Sequence, residues 1–222
     1  RDRGVVINSE NFRISDRAIV CMPYHREQDV YEEERLAGKK YGSTRRGIAP
    51  VYGDKYMKKA IRMGDLLHPE DMKRRLKGIV DWKNLTITGV YGAEPVSYDE
   101  MCAWLMKYAE KFGAYICDTG KFLDEAENAG KKIMFEAQLG ALRDIDFGIY
   151  PYTSSSSTIG AYAPIGAGIP NHKLTNSIGI MKAYSSCVGE GPFTCELFGE
   201  PSARGGRRIR RGNRPPETCR PV

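Results

Sequence analysis

Residues 135–158 read FEAQLGALRDIDFGIYPYTSSSST. The stretch leaves an apolar run, Ile133-Met134-Phe135, and crosses the acidic step Asp144-Ile145-Asp146. It then turns at Tyr150-Pro151-Tyr152 and ends in four serines between two threonines. Serines alone would read as a flexible linker. Behind a strand and a tight aromatic turn they read instead as a binding loop, because α/β proteins hold ligands on loops that leave strand C-termini. Gln138 offers a donor and an acceptor suited to a base edge. Ser154 to Thr158 offer hydroxyl and backbone N–H groups suited to a phosphate. Asp144 and Asp146 fit either a metal-binding Asp-x-Asp or turn and cap positions, with the structural role ahead.

The flanking sequence supplies the elements. His68-Pro69-Glu70-Asp71 puts proline at the first helical position and acids in the first turn. Met72, Leu76, Ile79 and Val80 then share one face. Ser97-Tyr98-Asp99-Glu100 is a capping pattern, followed by the stripe Met101, Trp104, Leu105, Tyr108 and Phe112, with Gly113 suited to the C′ position. A shorter helix is expected over 121–128. Residues 26–37 are helix-compatible, 173–181 look helical, 16–23 and 133–135 look like strands, and 183–188 look extended. Residues 41–54 and 160–170 read as loops. Helices alternating with short apolar strands predict an α/β fold.

Composition narrows the classes. The 222 residues suffice for one large domain, and no apolar run approaches a membrane span. No signal-peptide core is present, so a cytoplasmic chain away from membranes is expected. The first residue is Arg1, which suggests that the true N-terminus lies upstream. The six cysteines form no Cys-x-x-Cys pair and the three histidines are scattered, which argues for free thiols and against a zinc site. From Ser202 onward there are seven arginines against one acid, which accounts for the whole formal charge of +6. Residues 1–201 are therefore formally neutral. The basic stretch 202–222 has the composition of a disordered tail, and its charge keeps a nucleic-acid-binding arm open as an alternative function.

A second loop, GSTRRGIAP at 42–50, carries glycines that permit close backbone approach, a threonine hydroxyl and two arginines. By itself it would read as a surface turn. Taken together, GSTRRGIAPVYGDK at 42–55, IRMGDL at 61–66, the 135–158 loop and KAYSSCVGEGPFTCEL at 182–197 resemble adenylosuccinate synthetase, in order and at that family's spacing.

The resemblance implies a partial adenylosuccinate-synthetase-type, P-loop-NTPase-like fold with a central, mostly parallel sheet and flanking helices. Residues 1–201 would form the central part of one such domain. The implied activity is a ligase of purine biosynthesis that joins IMP to L-aspartate at the expense of GTP, with Mg2+, in a homodimer. Thr44 matches the loop threonine that holds the IMP phosphate. Lys58 falls where many members have an arginine that reaches the partner subunit's IMP site, and it lacks the arginine's bidentate fork. Gln138 resembles the glutamine near the base but sits one place early, with Leu139 at the aligned position. Ser154 replaces a second phosphate-binding threonine, with Thr153 as its rival, and Val188 matches a residue lining the IMP pocket. The family's Gly-Asp-Glu-Gly-Lys-Gly loop, which carries the catalytic aspartate and grips GTP and Mg2+, has no counterpart here, nor does its catalytic histidine. An internal, inactive fragment is therefore expected, with a frameshift near 200–206 explaining the tail. A metal-dependent transferase using Asp144 and Asp146 ranks behind this reading, and nucleic acid is not expected as a partner.

Overall fold

Two helices with matched apolar faces set the core. In the computed structural model, which describes residues 3–181 and 189–192 together with strands at 185–187, 208–209 and 217–220, helix α3 spans Pro69–Gly89 and helix α4 spans Tyr98–Phe112. α3 starts at the predicted proline and buries Met72, Leu76, Ile79, Val80 and Ile87. The Ser97 hydroxyl accepts the Glu100 N–H at 3.3 Å, which caps α4, and Met101 and Leu105 turn inward. Both faces pack with Val20, Met22, Tyr24, Ile61, Leu66 and Ile116. Each such large apolar side chain contributes about 1.5–3 kcal/mol on burial. Gly113 follows α4 in a right-handed conformation and leads into a further short turn, so it does not form the left-handed cap expected from its position.

The remaining elements are strand β1 (Ile14–Ser15), α1 (Pro23–Leu36), α2 (Ile48–Tyr56), β2 (Ile116–Cys117), α5 (Thr119–Asn128) and α6 (Ala163–Ala167). β1 and β2 pair in parallel, Ile14 opposite Ile116. Strands β3 (Ser185–Cys187), β4 (Arg208–Ile209) and β5 (Glu217–Arg220) form an antiparallel sheet in the order β3-β5-β4. Thus two short strands lie within the basic tail. The fold is α/β and rich in helix, with its parallel pairing confined to β1 and β2 among the described residues.

Several expectations are corrected. Residues 16–23 do not form one strand. The Ala18 N–H turns back to the Ser15 carbonyl, leaving only a bridge between Ile19 and Arg62, and Pro23 opens α1 instead of closing a strand. α2 occupies the second half of the expected 41–54 loop. Residues 133–135 are irregular, because no neighbouring backbone among the described residues completes a ladder with them. Residues 173–181 are also irregular. Thr175, Asn176, Ser177 and Gly179 are poor helix formers, and Ile178 and Ile180 lie exposed among the described residues.

Whereas α3 buries one charged side chain, Lys83, the buried face of α1 is mostly polar: His25, Gln28, Asp29 and Glu33. The His25 Nδ1 accepts the Met22 N–H at 2.9 Å, so its Nε2 carries the proton and donates to Asp54 Oδ2 at 2.7 Å. Lys83 of α3 donates to the other Asp54 oxygen at 2.6 Å and to Gln28 Oε1 at 3.1 Å. Its ammonium also sits 5.7 Å from the centre of the Tyr24 ring. One buried ion pair and one imidazole thereby fasten α1, α2 and α3 together. Lys83→Met strands the Asp54 carboxylate and is expected to cost about 3–5 kcal/mol in chemical denaturation.

Burial pushes the His25 imidazole below its ordinary range, against the opposing pull of the Asp54 hydrogen bond and charge. The unfolded chain, with histidine near pH 6.5, then binds the proton first. Stability should be level above about pH 6.5 and fall as the pH drops below it towards the depressed folded value. His25→Gln should flatten that limb of a stability–pH curve measured by denaturant titration.

Candidate functional site

The Gly-Ser-Thr turn is built from below by α1. Glu33 accepts the N–H groups of Tyr41 and Gly42, both at 3.1 Å. Asp29 accepts the Ser43 hydroxyl at 2.6 Å and the Gly47 N–H at 2.8 Å. The Ser43 oxygen in turn accepts the Arg45 N–H at 3.1 Å. Gly47 has a φ of 80°, and a Cβ there would sit 2.8 Å from the His25 carbonyl carbon, so the bend requires glycine. Residues 189–191, within the 182–197 motif, pack against the turn. The Glu190 N–H donates to the Tyr41 carbonyl at 2.9 Å, and a Cβ on Gly42 would meet the Glu190 nitrogen at 2.8 Å. Thr44 follows, exposed, with no hydrogen-bond partner among the described residues.

The hydroxyl-rich loop is equally fixed. Asp144 is buried at its centre. One carboxylate oxygen accepts the N–H groups of Asp146 and Phe147, at 3.0 and 3.1 Å, and the other accepts the Thr158 N–H at 2.8 Å. The Ser154 N–H donates to the Arg143 carbonyl at 2.8 Å, and the Thr158 hydroxyl donates to the Gly140 carbonyl at 2.7 Å. Burial pushes the Asp144 carboxyl up, but the backbone donors, Thr158 foremost, outweigh it and hold the group below the ordinary carboxylate range. The Asp-Ile-Asp step therefore braces the loop through Asp144, while Asp146 is exposed.

These loops face one another across a cavity of about 2450 Å³. Ser43 and Thr44 lie on one wall, and Gln138, Thr153 and Ser154 on the other. Tyr41 and Tyr152 bridge the two walls edge-on, with ring centroids 6.0 Å apart. The structure thus brings Thr44, Gln138 and Ser154 together, and both rivals, Leu139 and Thr153, line the same space. Leu139 holds a φ of 75°, at the centre of a tight turn in which the Gly140 N–H donates to the Gln138 carbonyl at 3.0 Å. Such a turn stores backbone strain. Lys58 is not among the lining residues. It is exposed just beyond α2, with a φ of 61°. Val188 lies outside the described residues, although its neighbour Gly189 borders the cavity.

Sequence reasoning missed Asp29 and Glu33. Their four-residue spacing on a helix puts both on one face, but nothing local distinguishes them from solvated acids. Among the described residues no three His, Cys, Asp or Glu side chains gather as a metal site, and the Asp144 oxygens are occupied by N–H donors. The residues described here therefore do not fit Mg2+.

A family model described as adenylosuccinate synthetase matches residues 1–214. An adenylosuccinate synthetase from Heliobacterium modesticaldum is 46% identical over 194 residues, covering 87% of this chain and 45% of that protein. One from Clostridium acetobutylicum is 43% identical over 197 residues, covering 89% of this chain and 46% of that protein. The fold is also that of a solved structure of fully ligated adenylosuccinate synthetase from Plasmodium falciparum, with a TM-score of 0.77 at 30% identity over 85% of this chain and 44% of that one. The chain belongs to the adenylosuccinate synthetase family, and it spans a little under half the length of these relatives.

Asp144→Asn replaces one acceptor oxygen with a donor facing backbone N–H groups. Amide exchange across 144–158 is expected to speed up by about tenfold or more, with α3 unaffected, in a hydrogen–deuterium exchange measurement.

Proposed function

We propose that the cavity holds the IMP of an adenylosuccinate synthase, with the monophosphate between Thr44 and Ser154 and the purine edge near Gln138. One observation carries this reading: two loops anchored by different buried acids present hydroxyl groups to one cavity. A phosphate favours such sites because hydrogen bonds to a charged acceptor are strong. Gln138 can pair with both a donor and an acceptor on a base. Val188 is proposed to line the same pocket, as the family pattern implies.

The proposed reaction joins IMP and L-aspartate with GTP as phosphoryl donor, giving adenylosuccinate, GDP and phosphate. The C–N bond forms as the aspartate amine displaces a phosphate carried on the 6-oxygen of IMP. GTP and Mg2+ enter this reading through the family alone, and no step is assigned to them at the residues described here. The part proposed for this chain is to bind and orient the nucleotide. Lys58, exposed beyond α2, is proposed to reach the partner's IMP site in a homodimer. Residues 1–201 are proposed as the family domain, 202–222 as a separate basic segment, and the cytoplasm as the setting. Among the described residues no helix is long and apolar enough to cross a membrane, and no observation among them favours nucleic-acid binding.

Calorimetric titration with IMP and inosine tests the site. IMP is expected to bind more tightly than inosine, and Thr44→Val and Ser154→Ala are each expected to weaken IMP by about tenfold, or about 1.4 kcal/mol, without changing inosine binding. Equal affinities for IMP and inosine in the unmodified chain would overturn the reading.

A further inference from the structure

We infer that Asp29 and Glu33 are positioning residues that cast the phosphate-holding turn before nucleotide arrives. The inference rests on the monophosphate reading above. Two carboxylates beside a phosphate would repel it if they met it directly. Here both acids border the cavity, but each of their four oxygens already accepts a hydrogen bond from the turn. Between them they accept the N–H groups of Tyr41, Gly42 and Gly47 and the hydroxyl of Ser43, at 2.6 to 3.1 Å. Both acids are nearly buried, with exposures of 5% and 4%. Ser43 is consumed as well, donating to Asp29 and accepting from Arg45. The turn therefore spends its inner donors on α1 and leaves Thr44 facing the cavity.

Helix α1 is a rigid base for this arrangement. The two acids sit one helical turn apart, so they grip the loop at both ends, Tyr41-Gly42 and Gly47. On the opposite flank Gly42 lies against Gly189 and Glu190 with no room for a side chain. A turn fixed on both sides does not have to be ordered by its ligand, and that ordering cost is removed from the binding free energy. Removing either acid should loosen the turn and lower affinity for the phosphate specifically, because the rest of the nucleotide meets other segments of the cavity.

The test compares Asp29→Asn and Glu33→Gln with the unmodified chain, using IMP and inosine as probes in calorimetry. Each variant is expected to lose at least about tenfold of the IMP-to-inosine affinity ratio while inosine binding is unchanged, an outcome that general loss of structure would not produce. If the unmodified chain binds IMP and inosine alike, the phosphate reading fails, and this inference with it. If the unmodified chain discriminates and both variants keep its ratio, the positioning role alone is wrong. Amide exchange in residues 41–47 of the unmodified chain decides the matter even where a variant does not fold. Protection before IMP is added supports the precast turn, and protection that arises only with IMP overturns it.

Discussion

Buried polar groups need partners, and besides Tyr24, whose hydroxyl has no hydrogen-bond partner among the described residues, α1 buries four polar side chains along one face. Those four find their partners on three other segments of chain. His25 reaches Asp54 in α2, Gln28 reaches Lys83 in α3, and Asp29 and Glu33 reach the 41–47 turn, through the Ser43 hydroxyl and backbone N–H groups. An unpaired carboxylate in such a place would cost several kcal/mol. The helix therefore settles where those three segments must lie. Apolar packing between α3 and α4 supplies the bulk of the core, but it does not orient the loops. The polar face does.

The two cavity walls follow the same logic with different hardware. On one wall the anchors are side chains of a helix, acting across a gap in sequence of up to 18 residues. On the other wall the anchor is Asp144, inside the loop that it organises. In both cases a carboxylate accepts backbone N–H groups, a charge-assisted bond stronger than its neutral counterpart. Each wall thus keeps a hydroxyl residue at the cavity, Thr44 on one and Ser154 beside Ser156 on the other, while the acids are satisfied by the loops they hold.

Where local chemistry determines structure, the sequence was readable. α3 and α4 follow from proline and serine caps and from apolar spacing, and Asp144 as a brace follows from its place at a turn. α1 announces itself poorly, because the pattern that betrays a helix is apolar periodicity and its inner face is polar. α2 follows Gly47 and contains Pro50 and Gly53, all of which argue for a loop until the Asp54 anchor is known. The stretch at 133–135 has strand composition, but a strand also needs a neighbour. For the site, Thr44, Gln138 and Ser154 were legible through the family resemblance. Asp29 and Glu33 were not, since their partners are backbone amides that composition cannot reveal.

The loop geometry around Asp144 separates the side chains that shape the loop from those it merely carries. Its course is written in one carboxylate and a few main-chain bonds, with Thr158 fourteen positions downstream as the far clasp. The side chains of Ser155 and Ser157 are bystanders to that clasp. Replacing them leaves every bond of that clasp in place, although Ser155 also borders the cavity. The path of the loop is thus set by the Asp144 carboxylate and the Thr158 N–H, not by the run of hydroxyls between them.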